Sequence, residues 1–309
     1  MNILLLGGGG YIGSVLTGYL LSKKFKVTVI DSFIYEQNSL SNFCYDHNLQ
    51  IIKDDIRKID KYKDIIKNFE LIIPLASLVG APLCEFNNFE AKSVNLDAHL
   101  TLFKLISKNQ KIIMPTTNSA YGSANGKLLC DENTPLKPIS TYAEHKVLVE
   151  KDLMNHDNAI SLRLATVFGM SPRMRLDLLV NDFVYRAIKD KYIVLFESNF
   201  KRNYIHVRDV CRAFLHAIEN FNVMKNNIYN VGLSNANLSK KELCEKIQKY
   251  IKFEFVENEF QKDPDQRNYI VSNEKIEKTN FKTVFNIEDG IKELIKGYET
   301  INIKNFKNF

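Results

Sequence analysis

A run of glycines near the start of the chain limits the possible fold more than any other feature. Gly7, Gly10 and Gly13 follow the short apolar run 3–6 and have the spacing G-x-x-G-x-x-G. After them, apolar residues recur at helical spacing, at Ile12, Val15, Leu16, Tyr19 and Leu20. Glycine is needed where a strand turns sharply into a helix and where a Cβ would keep a pyrophosphate from the helix N-terminus. The pattern therefore predicts a strand, a phosphate-binding turn and a helix.

Short β-rich runs alternate with segments that are long enough for helices. These runs are residues 3–6, 27–30, 51–52, 71–73, 112–114 and 161–164, with a last one at 229–231. Parallel neighbours need long crossovers, which bring helices onto both faces of a sheet. Together with the glycine turn, this alternation predicts an α/β fold of the Rossmann type, which is a doubly wound parallel sheet.

The alternation becomes irregular after about residue 165, which indicates a smaller C-terminal substrate domain. We expect residues 1–165 and 205–233 to form the cofactor domain. We expect residues 166–204 and 234–309 to form the substrate domain, with the active site in the cleft between the two.

The composition excludes several classes of protein. The 309 residues, 45% hydrophobic and 25% charged, are typical of a globular chain. Five widely spaced cysteines and six single histidines indicate neither a disulfide framework nor a metal site, so we expect a reducing cytoplasm and no metal. The net charge of +6 comes from dispersed lysines, so we expect no nucleic-acid partner. No run approaches the roughly 18 apolar residues of a membrane span, so we expect no membrane association.

An acidic residue at the end of the second predicted strand indicates which dinucleotide binds. Asp31 follows Gly13 by 18 residues, close to the offset of about 20 expected for an acid that binds the adenosine ribose. A carboxylate there would repel the 2′-phosphate of NADP, so the sequence predicts NAD. Asp55, followed by Ile56 after the third strand, suits the adenine edge, and an N-cap is the alternative interpretation.

Tyr142 and Lys146 are four residues apart in a segment that can be helical, which places the phenol and the ammonium on one helix face. A nearby cation and a positive nicotinamide both favour the phenolate. We therefore expect Tyr142 to take the proton from a substrate hydroxyl. Thr117 lies in a loop after the run 112–114, at the strand end where open α/β sheets hold ligands. A surface tyrosine and lysine are the alternative.

The order of these motifs resembles that of the extended short-chain dehydrogenases/reductases that act on nucleotide-sugars, over nearly the whole chain. The motifs are Gly7, Gly10 and Gly13, Asp31, Leu75 with Ala76, Asn95, Thr117, Tyr142 with Lys146, Leu162 with Arg163, and residues 202–207. The resemblance implies that Thr117, Tyr142 and Lys146 are catalytic. It implies NAD contacts at Gly7, Gly10, Tyr11, Ile12, Gly13, Asp31, Asp55, Ile56, Leu75, Ala76, Ser77, Tyr142 and Lys146.

The resemblance also implies a substrate site. Its members are Thr117, Asn118, Ser119, Thr166, Arg173, Arg175, Arg202 and Arg267. Arg202 matches an arginine that contacts the nucleotide diphosphate, with an exposed loop arginine as the alternative, and Arg267 resembles a second nucleotide contact. For Arg173 and Arg175 two interpretations stay open, because they can line this pocket or brace their loop.

Departures from the family pattern bear on the reaction. Asn118 and Ser119 stand where 4,6-dehydratases have an Asp-Glu pair, so an elimination of water is disfavoured. Pro74, Thr166 and Asp54 replace the usual histidine, asparagine and glycine. Oxidation with release of NADH and epimerisation share their first step, so both stay open.

The stretch 167–184 resembles enzymes of bacterial surface-polysaccharide pathways. This resemblance implies a GDP-manno-heptose as the substrate, oxidised at C4 in capsule biosynthesis. The resemblance to the wider family implies a homodimer formed through the helix that carries Tyr142. The alternatives are a nucleotide-sugar 4-epimerase with tightly held NAD and a non-catalytic sensor of NAD or nucleotide-sugars.

Overall fold

The computed structural model describes residues 1–123, 129–258 and 267–301. In these residues the strands are β1 (Asn2–Leu6), β2 (Lys26–Asp31), β3 (Leu49–Lys53), β4 (Leu71–Pro74), β5 (Lys111–Thr117), β6 (Leu129–Cys130), β7 (Ala159–Leu164), β8 (Thr166–Phe168), β9 (Tyr192–Phe196), β10 (Lys201–His206), β11 (Asn227–Val231), β12 (Asn237–Ser239), β13 (Glu254–Asn258) and β14 (Ile270–Val271).

The helices connect and cover these strands. The α-helices are α1 (Tyr11–Ser22), α2 (Lys63–Ile66), α3 (Ala81–Phe86), α4 (Asn88–Lys92), α5 (Ala98–Leu105), α6 (Thr141–Leu153), α7 (Leu179–Lys189), α8 (Val207–Glu219), α9 (Phe221–Met224), α10 (Lys240–Gln248), α11 (Glu274–Glu277) and α12 (Ile287–Tyr298). Short 3-10 helices span Ser41–Phe43, Ile56–Tyr62 and Asn118–Tyr121, and a π-helical turn spans Ser93–Asp97. None of the helices in the described part of the chain is long and apolar enough to cross a membrane.

Seven strands form one parallel sheet in the order β11-β7-β5-β4-β1-β2-β3. Residues 3–6 of β1 are all apolar because both faces of the strand are buried there. Ile3 and Leu5 belong to one hydrophobic cluster, with α1 and α8, while Leu4 and Leu6 belong to the other, with α5 and α6. The predicted Rossmann-type α/β fold is confirmed, and every predicted β-rich run lies in a strand of this sheet.

The strand order reverses between β1 and β4, which is where a doubly wound sheet opens a crevice at the carboxyl ends of its strands. The Gly7 turn follows β1 and Thr117 ends β5, so both lie at this edge. The topology therefore brings the predicted cofactor turn and the predicted catalytic loop to the same side of the sheet.

Smaller sheets lie beside the large one, in the orders β12-β10-β8, β13-β9 and β14-β6. The expectation that 229–231 is the last strand is wrong, because β12, β13 and β14 follow it. These strands have two to five residues, and β13 is largely exposed, so no apolar run marks them. The boundaries of the two predicted domains stay a prediction, and residues 259–266 and 302–309 of the second lie outside the described residues.

Candidate functional site

A cleft of about 560 Å³ opens at the carboxyl edge of the sheet. One part of its wall is formed by the glycine turn and the loops after β2, β3 and β4. The other part is formed by the Thr117 loop, the start of α6 and residues near β8, α7 and β10. Groups bound at the glycine turn and at Tyr142 would thus share one cavity.

The glycine turn leaves room for a phosphate only because side chains are absent. Gly7 has a φ of +82°, and a Cβ there would lie 2.5 Å from the Ala76 nitrogen. A Cβ on Gly13 would lie 2.3 Å from the Gly7 carbonyl oxygen. A Cβ on Gly10 would meet only that oxygen, at 3.3 Å, and Gly10 lines the cleft. The space at the start of α1 therefore fits the pyrophosphate of a dinucleotide.

Asp31 lines the same part of the cleft. Its carboxylate accepts hydrogen bonds from the backbone N–H of Gly9 at 2.8 Å and of Phe33 at 2.7 Å. Burial raises the pKa of this carboxyl, and these two hydrogen bonds oppose the shift. The side chain therefore braces the glycine turn from the position predicted to bind the adenosine ribose.

Asp55 is the N-cap of a 3-10 helix, where it accepts from the Arg57 N–H at 2.8 Å. It also binds the Arg57 guanidinium, with a shortest contact of 2.5 Å, and this bond holds the pKa of Asp55 below its ordinary value. The N-cap interpretation of Asp55 matches the structure, while its contact with adenine stays a prediction. The other predicted cofactor residues also line the cleft, namely Tyr11, Ile12, Ile56, Leu75, Ala76 and Ser77.

Tyr142 and Lys146 lie one turn apart at the start of α6, and both line the cleft. The Lys146 ammonium is 5.9 Å from the centroid of the Tyr142 ring. Desolvation in the cleft raises the pKa of Tyr142 to about 12, and nearby Arg175 and Arg267 oppose that shift. Burial lowers the pKa of Lys146 to about 8. Without a further cation the Tyr142 phenol keeps its proton at neutral pH.

Thr117 ends β5 and caps the following 3-10 helix by accepting from the Ser119 N–H at 3.1 Å. Its hydroxyl donates to Ser119 Oγ at 3.0 Å, and the Arg267 guanidinium donates to the same Oγ. The structure thus brings Arg267 to the Thr117 loop. Asn118 does not line the cleft, and its buried side chain has no hydrogen-bond partner among the described residues, which departs from the predicted substrate contact.

The stretch 169–178, here named the strap, crosses from β8 to the cofactor part of the cleft. Tyr11 donates its hydroxyl to the Gly169 carbonyl at 2.6 Å, and Ser171 donates to the Tyr11 carbonyl at 2.7 Å. The Arg173 guanidinium lies 3.7 Å from the Tyr35 ring centroid. The strap is therefore fastened both to the glycine turn and to the loop after β2.

The arginines predicted for the substrate site all line the cleft. Arg175 pairs with Asp177, and Asn181 donates to the Arg175 carbonyl at 2.9 Å, so the strap arginines line the pocket and brace the loop at once. Arg202 lies on β10 and is only 2% exposed, so the alternative of an exposed loop arginine is wrong. Thr166 also lines the cleft.

Further cleft residues were not predicted. Tyr35 and Asp177 lie beside predicted residues, and Lys240 is a buried lysine that donates to the Phe196 carbonyl at 2.6 Å. A lysine at the start of a polar helix carries no sequence signal for burial. Within the described ranges, no three His, Cys, Asp or Glu side chains stand together as possible metal ligands, and the expected absence of a metal stays a prediction.

Comparisons with known proteins agree with this geometry. Residues 3–232 match the model of the NAD dependent epimerase/dehydratase family. The low-salt glycan biosynthesis protein Agl12 of Haloferax volcanii is 26% identical over 320 residues, covering 96% of this chain and 98% of its own length. A putative UDP-glucose 4-epimerase of Methanocaldococcus jannaschii is 24% identical, covering 97% and 99%.

Solved structures show the same fold at low sequence identity. The UDP-glucuronic acid 4-epimerase from Bacillus cereus, in complex with UDP-glucuronic acid and NAD, has a TM-score of 0.86 and 20% identity, covering 97% of this chain and 99% of its own. The dTDP-glucose 4,6-dehydratase from Bacillus anthracis, in complex with NAD, has a TM-score of 0.83 and 22% identity, covering 99% and 98%.

Proposed function

Because the chain belongs to the NAD-dependent epimerase/dehydratase family of nucleotide-sugar enzymes, we propose that it oxidises a hydroxyl on the sugar of a nucleotide-sugar. The observation that carries this proposal is the shared cleft. Tyr142, Lys146 and Thr117 line the same cavity as the glycine turn and Asp31. A sugar hydroxyl held between Thr117 and Tyr142 would therefore face a cofactor held by the turn.

Each of these residues has a distinct role in the proposal. NAD, when bound, supplies the acceptor for the hydride that leaves the sugar carbon. The glycine turn, Asp31 and Lys146 would hold the cofactor, while Tyr142 takes the proton of the sugar hydroxyl and Thr117 orients that hydroxyl. The pKa of Tyr142, about 12, must fall for this task, and the Lys146 ammonium and the bound cofactor are the cations that would lower it.

The cleft also has the charges that a nucleotide diphosphate needs. Arg202 and Arg267 line it, and a guanidinium fork suits phosphate oxygens. Ser119 cannot protonate a leaving hydroxyl well, which disfavours dehydration.

Among nucleotide-sugars we favour a GDP-manno-heptose oxidised at C4, as a cytoplasmic step of capsule biosynthesis. Support comes from the resemblance of the stretch 167–184, which includes the strap along the cleft.

The first test is incubation of the protein and NAD with GDP-, UDP- and dTDP-sugars, including a GDP-manno-heptose. NADH absorbance and product mass are followed together. A product two hydrogens lighter, formed with NADH, is the expected result. An isomer of unchanged mass without free NADH would make the protein a 4-epimerase with tightly held NAD.

Replacing Tyr142 by Phe separates an enzyme from a non-catalytic sensor. We expect turnover to fall by about 1,000-fold, as for the loss of a general base. NAD affinity should stay within about threefold, because the glycine turn and Asp31 are untouched. Unchanged turnover in this variant would refute the assigned base, and ligand binding without turnover in the parent protein would favour the sensor.

A further inference from the structure

A buried ion pair lies beneath the catalytic helix, outside the cleft wall. Glu150 is on α6, eight residues after Tyr142 and four after Lys146, and it is 4% exposed. Its carboxylate pairs with Arg163 on β7, with a shortest distance of 2.6 Å to Nη2. Because both groups are removed from water, the loss of either partner would leave the other charge buried without compensation.

The same carboxylate connects α6 with two strands of the sheet. Glu150 Oε2 accepts from Thr116 Oγ1 at 2.8 Å and from Ser161 Oγ at 2.6 Å. The two hydroxyls are 2.9 Å from each other. Thr116 is on β5, directly before Thr117. One carboxylate therefore fixes the helix that carries Tyr142 against the strand that delivers Thr117.

Arg163 extends the connection to the far end of the catalytic loop. Its Nη1 donates to the Tyr121 hydroxyl at 3.0 Å, and that hydroxyl donates to Asn230 Oδ1 at 2.8 Å. Tyr121 is the last residue of the 3-10 helix that contains Ser119. The loop from Thr117 to Tyr121 is thus held at both ends by the same pair.

We propose that Glu150 is a positioning residue, which sets the placement of the Tyr142 phenol relative to the Thr117 hydroxyl. It acts through Thr116 and Arg163 and does not line the cleft. The inference rests on the proposed function only in that these two groups act on one substrate hydroxyl. A misplacement of about 1 Å can cost a reaction roughly 100-fold in rate.

Two kinds of variant separate positioning from plain stability. Glu150→Gln keeps the shape but leaves one oxygen for the four donor atoms of Thr116, Ser161 and Arg163, so its amide group faces either Arg163 or the hydroxyls. Glu150→Leu combined with Arg163→Met removes both charges, and such apolar replacements of a buried pair are often neutral for stability. If the ion pair only stabilises the fold, this double variant should keep full turnover. If the pair positions the catalytic groups, turnover should fall, because Thr116 and Ser161 no longer have their shared acceptor.

Asp209→Asn is the matched control. Asp209 is fully buried and accepts from the backbone N–H groups of Val284 and Phe285, and it does not line the cleft. We expect this variant to lower the melting temperature and to leave kcat and KM unchanged at 25 °C.

Two readouts at 25 °C test the proposal. The first is kcat and KM with the sugar that the panel identifies. We expect both Glu150 variants to lose about 30-fold or more in kcat, with KM and NAD affinity within about threefold. The second is the ultraviolet titration of Tyr142 in the NAD-bound protein, taken as the difference between each protein and its own Tyr142→Phe counterpart. We expect the ionisation of Tyr142 to move to higher pH when the phenol is no longer held in its position relative to the cofactor.

The second readout needs no sugar, so it decides the inference separately from the proposed reaction. Parental kcat and a parental Tyr142 titration in either Glu150 variant would overturn the positioning role. If no nucleotide-sugar reacts with the parent protein, the proposed function fails, and the titration alone then decides the role of Glu150.

Discussion

At the scale of single residues, Lys146 carries a charge into a place with little water. It is 2% exposed, and burial lowers its pKa to about 8, whereas an unfolded chain has a lysine pKa of about 10.4. Between these values the unfolded state binds more protons, so the cost of the buried ammonium is present below pH ~8 and disappears as the pH approaches ~10.

This pH dependence of the cost of burying the ammonium leads to a prediction for Lys146→Met. Without NAD, the variant should be more stable than the parent at pH 7, by on the order of 3 kcal/mol, and the difference should shrink towards zero near pH ~10. Urea unfolding of both proteins at several pH values measures it. Equal stability of the two proteins at pH 7 would mean that the ammonium is better solvated than its burial indicates.

Gly10 gives a second prediction at this scale, because its φ of −77° suits any residue. An alanine Cβ would meet only the Gly7 carbonyl oxygen and would otherwise enter the cleft. Gly10→Ala should therefore keep the unfolding free energy within about 1 kcal/mol and weaken NAD binding at least about tenfold. Calorimetric titration with NAD measures the affinity. If this variant binds NAD as tightly as the parent protein, the pyrophosphate does not bind at the glycine turn.

Some site residues were predictable because their signal is local. Tyr142 and Lys146 are one helix turn apart, and the glycines have fixed spacing, so short windows of sequence contain the geometry. The contact between Ser119 and Arg267 spans 148 residues and depends on how distant segments pack. No periodicity reports such a contact, and only the family resemblance placed both residues at one site.

At the scale of elements, the strap is the connection between the two parts of the cleft. Tyr11 holds it by donating to the Gly169 carbonyl, and it also accepts at 3.3 Å from Asn181 Nδ2 on α7, which donates to the Arg175 carbonyl of the strap. Glu293 on α12 accepts from the Met170 N–H at 3.2 Å and so fixes the start of the strap from its other side. Because the strap adjoins the turn predicted to hold a dinucleotide, we expect these contacts to loosen when the dinucleotide is released.

Tyr11→Phe should therefore speed the release of NAD. The buried Gly169 carbonyl loses its donor, which costs about 1 kcal/mol and corresponds to a roughly fivefold faster release. Stopped-flow displacement of bound NADH measures the rate. Tyr19→Phe, on the same helix, is the matched control and should release NADH at the parental rate. Equal rates of NADH release in the two variants would mean that the strap does not retain the cofactor.

Strands of the large sheet were predictable where burial on both faces makes the sequence continuously apolar, as in residues 3–6 of β1 and in β4. β9 has the residues Tyr-Ile-Val-Leu-Phe, yet the sequence did not predict it as a strand, because the alternation of strands and helices is irregular after about residue 165. β13 pairs with β9 although its own residues are mostly exposed. In these small sheets the partner strand, and not the local pattern, decides the structure.

At the scale of the whole molecule, the helix that carries Tyr142 also has an outward face. Leu148 on α6 is 50% exposed, and α3 and α4, which contact α6, present Phe86 at 92% and Phe89 at 87% exposure. Large apolar side chains on helices that pack together are typical of a surface covered by another protein. The predicted homodimer through α6 would cover them and would place the outer side of each catalytic helix against its partner.

Leu148→Glu tests this arrangement, because a buried, unpaired carboxylate at a dimer contact costs several kcal/mol. Sedimentation at micromolar concentration should show a dimer for the parent and a monomer for the variant. Val223→Glu is the matched control, since Val223 is 79% exposed on α9, and it should remain dimeric. A monomeric parent would overturn the dimer, and a dimeric Leu148→Glu variant would move the interface away from α6. Because Leu148 is two residues from Lys146, a loss of turnover that accompanies dissociation would link assembly to the placement of the catalytic helix.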